Sequence, residues 1–410
     1  MVLYANGQQD SAKEGGKKVI TYAPMYGANL TEELYMTLIN RFEAAHPDIE
    51  VELILQPAAG VMHRDFLKTL QATAQFPDVM SMASPMDFVN SGLLMSLPAD
   101  EMGYMKDMST QIIGGKNYVA VYKSMVGGFW YNKDLFKRLN LEVPTTWDEF
   151  LEVCEAIKAD GQMDPISVGV KDGWPQLVLA SMIISADIVA NDAEWGIKRN
   201  RDEVHFSDPD FKRCIKKYVE IVQKYANDSP QSVTYEQMRQ QYYVGKCAML
   251  PMGSWCVGEM ATLDLDFEPG FFPVPSDDGN GTVSLWLNEG LSVSAKTKHP
   301  EACLEFIKFF MTDPVWYSMF LKTEALFSNS NEDITFDMSP LRKEVGQLRP
   351  TFRGIEHWYD LTGDAALLPG LQAYFNKMTA QIITAETDAQ IEEELRLYDE
   401  EWNLANSNLQ

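Results

Sequence analysis

The sequence predicts an α/β protein with more than one domain, and two observations support that prediction. Strand-like and helix-like patterns alternate through the first 83 residues in the order strand, helix, strand, helix, strand. This order favours parallel strand pairing, because each crossover connection lays its helix against a face of the sheet. The chain has 410 residues, which at roughly 100–200 residues per domain predicts two or three domains, each with its own core.

Strand and helix patterns in this first region can be placed residue by residue. The strand patterns are VITYAP at 19–24, DIEVELIL at 48–55 and FPDVMSMA at 76–83. The helix patterns have apolar residues at helical spacing, which are Leu34, Leu38, Phe42 and Ala45 in the first helix and Met62, Phe66 and Leu70 in the second. Asn29 and Glu32 are spaced as a capping box, which predicts that the first helix begins there.

Residues 117–132 (NYVAVYKSMVGGFWYN) lead from this region into a second one and are mostly extended. Asn132 can cap a short helix that Pro144 cannot extend. Thr146 and Glu149 then form a T-x-x-E capping box, so a new helical unit begins at that point.

The remainder of the chain also mixes strands with helices. PISVGV at 165–170 is strand-like and several helix patterns follow it, which predicts a second α/β region. The last helix has one apolar face, formed by Ile391, Leu395, Tyr398 and Trp402.

Charge and motif content argue against several classes of protein. Lys and Arg total 34 and Asp and Glu total 59, and the formal net charge of -25 repels phosphate backbones, so we expect no nucleic-acid partner. No run approaches the roughly 18 consecutive apolar residues of a membrane helix. A nucleophile elbow, a phosphate-binding glycine loop and a His-Glu-x-x-His motif are all missing from the sequence, which argues against common enzyme classes.

The cysteines and histidines do not form a metal-binding pattern. There are five cysteines without a C-x-x-C pair and five scattered histidines, so we expect neither a metal nor a cofactor. We interpret most of the cysteines as buried thiols. A disulfide between Cys247 and Cys256 stays open as the less favoured alternative.

Residues 1–18 (MVLYANGQQDSAKEGGKK) lack the apolar core of roughly 7–15 residues that a signal peptide has. We expect a flexible linker, for which two origins stay open. It is either an expression-derived extension or the tether of an exported lipoprotein whose signal and lipid-bearing cysteine are not in this chain.

Five segments also carry a likeness to a known family. They are TEELYMTLINRFEAAHPDIEVEL, PDVMSMA, FWYNKDLFKRLNLEVPTTWDEF, YYVGKCAMLPMGSW and LSVSAKTKHPEACLEFIKFFMTD. In this order they resemble the extracytoplasmic sugar-binding proteins of ABC transporters, the family that includes maltose-binding protein. The resemblance covers essentially the whole chain after the N-terminal lead.

The resemblance implies a two-lobed periplasmic-binding-protein-like fold of type II, in which each lobe is a sheet flanked by helices and a hinge contains several chain crossings. It places lobe one at 19–127 and 275–314, and lobe two at 128–274 and 315–410. It further implies an extracytoplasmic monomer, lipid-anchored at the outer face of the cytoplasmic membrane. Such a protein closes around a carbohydrate and delivers it to the permease subunits of an ABC transporter.

Aromatic side chains are the first candidate ligand contacts. The C–H faces of a sugar ring pack on aromatic rings and its hydroxyl rim needs polar partners, so a binding cleft needs both kinds of side chain on loops at strand ends. Trp174, Trp255 and Trp286 each lie beside turn-forming residues. The resemblance favours Trp255 and Trp286, which we expect to line the cleft from opposite lobes. Burial in a core is the alternative for each ring.

Polar residues at strand ends are the second group of candidates. Asp87 and Tyr26 follow strand patterns, where α/β clefts collect ligand contacts. Asn288 and Glu289, in LWLNEG, are candidate partners for sugar hydroxyl groups, and a solvated surface carboxylate is the alternative for either acid. Trp358 in IEHWYD is also a candidate, although an apolar anchor explains it equally well.

We therefore predict a carbohydrate-binding protein that is not an enzyme. An oligosaccharide is the expected ligand, because several separated aromatic residues suggest several subsites. Two alternatives stay open: the same fold binding a peptide, a polyamine or a metal chelate, and a glycoside hydrolase, which needs two carboxylates on either side of the scissile bond.

Overall fold

The computed structural model of the chain describes residues 16–26, 30–57, 63–83, 85–106, 112–286, 289–323, 327–332, 334, 337–348, 351–361, 363–368 and 370–407. The predicted features at Asn29, Met62 and Asn288, and most of the N-terminal lead, lie outside these residues.

Strands and helices alternate along most of the described chain. The strands are β1 (Lys18–Ala23), β2 (Ile49–Leu53), β3 (Val79–Met82), β4 (Ile112–Ile113), β5 (Lys116–Asn117), β6 (Ala120–Val121), β7 (Lys123–Asn132), β8 (Asp164–Ile166), β9 (Cys247–Gly253), β10 (Pro269–Phe272), β11 (Thr282–Trp286), β12 (Gly290–Val293), β13 (Phe327–Ser328) and β14 (Arg353–Glu356). The α-helices are α1 (Glu32–Ala45), α2 (His63–Ala72), α3 (Met86–Asn90), α4 (Lys133–Leu139), α5 (Trp147–Asp160), α6 (Pro175–Ile184), α7 (Trp195–Asn200), α8 (Pro209–Lys224), α9 (Tyr235–Tyr243), α10 (Cys256–Met260), α11 (Pro300–Thr312), α12 (Pro314–Thr323), α13 (Pro340–Leu348), α14 (Leu371–Ile382) and α15 (Asp388–Ser407).

Lobe one is built on a sheet with the strand order β2-β1-β3-β12-β6. Strand β1 pairs in parallel with both β2 and β3, which confirms the crossover pattern predicted for the first region. Strand β12 pairs antiparallel with β3 and β6, so the chain returns to this lobe late in the sequence. The carboxyl ends of β1, β2 and β3 therefore lie at one edge of the sheet.

Lobe two is built on a sheet with the strand order β14-β11-β7-β9-β8. Strand β7 runs antiparallel to β9 and β11, while β8 and β14 run parallel to their neighbours β9 and β11. The carboxyl ends of β8, β9, β11 and β14 therefore lie together at one edge, beside the amino end of β7.

The first two crossings between the lobes differ from the predicted boundaries. Lobe one was expected to end at residue 127, but β6 ends in the first sheet and β7 begins in the second, so the chain crosses at Tyr122. Gly127 and Gly128 lie inside β7, where they pair with β9. The return was expected near residue 275, but β11 still belongs to the second sheet and β12 is the next strand of the first, so the chain crosses after Trp286.

The third crossing was also predicted too early. The boundary at residue 314 would put α12 in lobe two. Instead α12 packs on α1 of lobe one, where the rings of Trp316 and Tyr35 lie 6.1 Å apart. The chain therefore leaves lobe one only after Thr323, because the buried aromatic face of α12 completes the core of that lobe.

Several helix starts and one helix face can be compared with the predictions from local sequence patterns. The Thr146 and Glu149 capping box forms at the start of α5, and Asn132 caps α4 through the backbone N–H of Leu135. Helix α1 begins at Glu32 after the N-cap Thr31, whose side-chain oxygen accepts from the backbone N–H of Leu34, while the predicted part of Asn29 lies outside the described residues. The predicted apolar face of α15 is confirmed as buried.

The cysteines are free and buried. None of the five forms a disulfide, which confirms the buried thiols and leaves Cys247 and Cys256 unpaired. Burial raises the pKa of Cys256 to about 11 and that of Cys303 to about 12. Within the residues described, no helix is long and apolar enough to cross a membrane.

Candidate functional site

The polar edges of the two sheets face each other across a narrow gap between the lobes. Arg64, Asp87 and Ile113 of lobe one and Asp360 and Gly363 of lobe two are among the residues that line a cavity there of about 50 Å³. Arg64 and Asp87 lie in the first turns of helices and Asp360 lies after β14, and open α/β sheets place ligand contacts at such positions beyond strand ends. The gap between the lobes is therefore the candidate site.

Asp87 forms the charged part of this site with two cations of lobe one. It follows β3 and accepts hydrogen bonds from Arg64 and, at 3.0 Å, from Nζ of Lys68. Desolvation would raise the pKa of Asp87, but the hydrogen bonds from Arg64 and Lys68 outweigh that effect and hold the pKa below its usual value. The structure thus brings the predicted Asp87 into the gap, already paired.

Tyr26 lies near this group at the carboxyl end of β1 and is half-buried. Its backbone carbonyl accepts a hydrogen bond of 3.2 Å from Nε2 of Gln56. His63 joins the same corner, since one ring nitrogen lies 3.4 Å from Oε1 of Gln56 and the other lies 3.1 Å from the carbonyl of Ser81. Burial lowers the pKa of His63. The ends of β1, β2 and β3 are therefore tied together by polar groups.

The corresponding edge of the lobe-two sheet carries a row of aromatic rings. The rings of Trp174 and Tyr235 lie 4.5 Å apart, and the indole N–H of Trp255 donates to the hydroxyl of Tyr235 at 3.0 Å. The guanidinium of Arg239 lies 4.5 Å from the centre of the Tyr235 ring. Trp174, Tyr235 and Trp255 are all half-buried, so each keeps part of its surface for another molecule.

Trp286 continues the row but is nearly enclosed. It packs edge-to-face on Trp255 at 5.1 Å and stacks on His357 at 4.2 Å, and only 5% of its surface is exposed. The expectation that Trp255 and Trp286 belong to opposite lobes is wrong, because β9 and β11 both pair with β7 in the second sheet. The two indoles are neighbours on one edge.

Glu289 lies at the second crossing and has two partners in the interior. Its carboxylate pairs with Lys123 at 2.7 Å and accepts a hydrogen bond of 2.6 Å from the hydroxyl of Tyr122. All three side chains are buried. Burial, reinforced by the Glu289 charge, raises the pKa of Tyr122 well above its ordinary value. Both oxygens of Glu289 are thus engaged with residues of the first crossing rather than open to solvent.

Trp358, a predicted ligand contact, lies in the interior of lobe two in this structure. Its side chain has no exposed surface, and its ring packs edge-to-face on Trp195 at 5.1 Å and Phe211 at 5.5 Å. The backbone N–H of Trp358 donates to Ser185 at 2.7 Å. The residue is an anchor of the lobe-two core, as the alternative interpretation allowed.

Sequence reasoning missed four side chains at or beside the gap: Arg64, Tyr235, His357 and Asp360. Two of them, His357 and Asp360, lie on either side of Trp358 in the segment IEHWYD. Tyr235 follows Thr234, which with Gln237 forms a capping box at the start of α9, and that signal could have placed Tyr235 in the first turn of a helix. Among the described residues, no group of three or more His, Cys, Asp or Glu side chains is arranged to hold a metal ion.

Two α/β lobes, joined by several crossings and facing each other across a lined gap, define a solute-binding protein. The sequence profile of the family described as bacterial extracellular solute-binding protein matches residues 27–315. This match covers more than half of the chain, so the chain belongs to that family. The resemblance identified from the sequence is thereby confirmed.

Individual relatives agree with this assignment. The multiple sugar-binding protein of Streptococcus mutans serotype c is 28% identical over 415 residues, which cover 93% of this chain and 96% of that protein. A solved chitin oligosaccharide binding protein matches with a TM-score of 0.79 at 21% identity, over 95% of this chain and all (100%) of that one. RafE from Streptococcus pneumoniae in its apo form matches with a TM-score of 0.77 at 20% identity, over 96% and 100% of the two chains. The solved structures confirm the predicted two-lobed fold.

Proposed function

We propose that this protein is an extracytoplasmic carbohydrate-binding protein that captures an oligosaccharide between its lobes and delivers it to the permease of an ABC transporter. The observation that carries the proposal is that half-buried aromatic rings of lobe two, Trp174 and Trp255, lie beyond the carboxyl ends of β8 and β9, while Arg64, Asp87 and Asp360 line the cavity between the lobes. The rings suit the C–H faces of sugars, and the charged groups suit their hydroxyls.

Charge pairing in the gap favours a neutral ligand. The two carboxylates Asp87 and Asp360 are equal in number to the two cations Arg64 and Lys68, so the formal charge of this group is zero. A polyamine needs unpaired acids, and an anionic solute needs unpaired cations. Two of the similar proteins are named for ligands of this class, one for multiple sugars and one for chitin oligosaccharides.

We propose that binding works by closure of the two lobes. The cavity of about 50 Å³ is small beside the roughly 300–1,000 Å³ of ordinary ligand pockets. A sugar therefore needs the lobes to separate before it enters. Once the ligand contacts both lobes, its binding free energy favours the closed population.

Catalysis fits this site poorly, and we infer that the protein is not an enzyme. A glycoside hydrolase needs one carboxyl group whose pKa is raised, so that it can act as a general acid. The pKa of Asp87 is instead lowered by its hydrogen bonds to Arg64 and Lys68. This carboxylate accepts hydrogen bonds but cannot serve as that acid at neutral pH.

Titration calorimetry with a panel of solutes tests the proposal. The panel contains raffinose, chitin oligosaccharides, xylo-oligosaccharides and maltotriose, with glycerol phosphate, putrescine and a tripeptide as controls. We expect binding to at least one neutral oligosaccharide and to none of the controls. Tight binding of a control alone would contradict the ligand class, and release of shorter sugars on incubation with the purified protein would contradict the non-enzymatic role.

We further propose that the protein is a monomer and that a lipid anchor holds it at the outer face of the cytoplasmic membrane. Light scattering on the purified chain measures the molecular mass in solution, and a dimer would contradict the first part. Mass spectrometry of the protein extracted from membranes of its native host tests the second part, which requires a diacylglyceryl-modified cysteine ahead of the lobes.

A further inference from the structure

Two glycines on neighbouring strands lie under the two indoles of the aromatic row. Gly127 of β7 pairs in register with Gly253 of β9. A Cβ atom on Gly253 would come closer than 3.0 Å to three ring carbons of Trp255, and one on Gly127 would come equally close to ring carbons of Trp286. Real Cβ atoms do not make such contacts, so each indole occupies the space that any other residue would fill.

The reason for glycine at these positions is space and not backbone conformation. Neither Gly127 nor Gly253 has a positive φ, so an alanine could adopt either backbone conformation without strain. Both residues lie in regular antiparallel pairing between β7 and β9. The absence of a side chain at each glycine is therefore what lets the indole pack close against the backbone of the sheet.

The other contacts of the two indoles divide their roles. Trp286 is 5% exposed and lies between Trp255 and His357, so it has little surface left for a ligand. Trp255 is half-buried, and its hydrogen bond of 3.0 Å to Tyr235 fixes the rotation of its ring. Trp286 therefore supports Trp255, and Trp255 keeps a partly exposed ring.

We propose that Gly127 and Gly253 are positioning residues of the ligand site, which seat the indoles so that Trp255 offers a fixed ring face to a sugar while Trp286 supports it from behind. This inference rests on the proposed function. Glycine at position 253 lets the Trp255 ring lie close to the backbone of β9. A methyl group at that position would overlap the ring and displace it.

Substitution of Gly253 by alanine tests whether this glycine positions the Trp255 indole, a role called the seat below. Trp255→Ala and the double variant complete a double-mutant cycle. The probe is whichever sugar of the panel binds the unmodified protein. We expect Gly253→Ala and Trp255→Ala each to weaken binding about tenfold or more, and the double variant to bind no worse than Trp255→Ala alone. Additive losses would overturn the inference, because the glycine would then act independently of the ring.

Gly346→Ala is the matched control, since a Cβ atom there would make only an ordinary contact of 3.6 Å with Phe327. It should leave affinity unchanged. If Gly253→Ala alone fails to fold, the double variant decides the matter. Recovery of folding when the indole is removed supports the clash, and continued failure to fold overturns it.

A measurement without ligand separates this inference from the proposed function. The Trp255 and Trp286 pair, 5.1 Å apart and edge-to-face, should give a coupled indole signal in the circular dichroism spectrum. Gly253→Ala should reduce that signal to the level of Trp255→Ala. Loss of the signal in a protein that binds no sugar of the panel would support the seat and contradict the function. An unchanged signal would overturn the seat whatever the ligand is.

Discussion

The two lobes differ in the side chains at the sheet edges that face each other. Lobe one presents a charged group in which Asp87 accepts hydrogen bonds from Arg64 and Lys68. Lobe two presents aromatic rings, and Trp255 is held there by Trp286 and Tyr235 of the same lobe. The aromatic platform therefore needs nothing from lobe one to keep its shape.

This difference suggests an order of events during binding. Because the platform is complete within lobe two, a sugar can stack on Trp255 while the lobes are apart. The polar groups of lobe one then reach its hydroxyls only on closure, when water leaves and the hydrogen bonds strengthen. Four predictions test this division. They concern the interior of lobe two, the ring of Trp255, a contact between the lobes, and the polar groups at the strand ends of lobe one.

The largest expected effect comes from the interior of lobe two. Replacing Trp358 by alanine removes a fully buried ring and should lower the free energy of unfolding by roughly 3–5 kcal/mol. Urea denaturation measures this loss. The variant should still bind the ligand of the unmodified protein when assayed well below its melting temperature. A variant with unchanged stability and weakened binding would instead indicate that Trp358 contacts the ligand.

Trp255 should show the opposite behaviour. Its ring is half-buried at the edge of the sheet, so Trp255→Ala should weaken ligand binding by roughly 1–3 kcal/mol through lost stacking and burial. Its melting temperature should change much less than that of Trp358→Ala. Calorimetry and thermal melting on the same preparations make the comparison. Normal affinity together with a large melting shift would place Trp255 in the core.

A closure contact between the lobes should have a smaller effect. Gly363 of lobe two has a φ of 60°, and a Cβ atom there would overlap the backbone carbonyl of Ile112 in lobe one. Gly363→Ala should therefore favour the open form, with a larger radius of gyration in solution scattering and weaker binding, on the order of 1 kcal/mol.

Gly370→Ala controls for backbone strain in that experiment. Gly370 has a φ of 88° but no atom near the position of a Cβ. Both variants should lose stability through the left-handed backbone, and only Gly363→Ala should change the scattering curve. Equal curves for the two variants would contradict a closure contact at Ile112.

The smallest expected effect concerns the pH dependence of the polar corner. Burial depresses the pKa of His63 below its ordinary value of 6.5, so the folded protein keeps the ring neutral where the unfolded chain protonates it. The contribution of His63 to stability is thus full above about pH 6.5 and declines as pH falls toward the folded pKa. Urea denaturation at pH 7.5 and pH 5.5 should show a smaller decrease for His63→Gln than for the unmodified protein.

Local patterns predicted much of the fold and part of the site. The Thr146 and Glu149 capping box and the buried face of α15 depend on residues within a few positions of each other, so the sequence contains the whole signal. Asp87 was found because parallel strands bring their carboxyl ends to one edge. These inferences need no knowledge of which distant segments meet.

Other features depend on contacts between distant parts of the chain. Lys123 pairs with Glu289, and the sequence around either residue contains no signal that predicts this contact. Trp255 and Trp358 both follow a strand of the second sheet, yet one is half-buried and the other is enclosed by Trp195 and Phe211. Their difference is set by how the helices of lobe two pack, which local sequence does not record. The crossings were misplaced for the same reason.

The buried thiols make the surface of this protein chemically quiet toward thiol reagents. All five cysteines are buried and unpaired, and burial raises the pKa of Cys247 to about 12 and that of Cys256 to about 11, so the reactive thiolate is scarce at neutral pH. A cysteine introduced on the surface of each lobe could then carry a dye or spin label without removal of the native ones. The distance between two such labels would follow the opening and closing of the lobes in a single molecule.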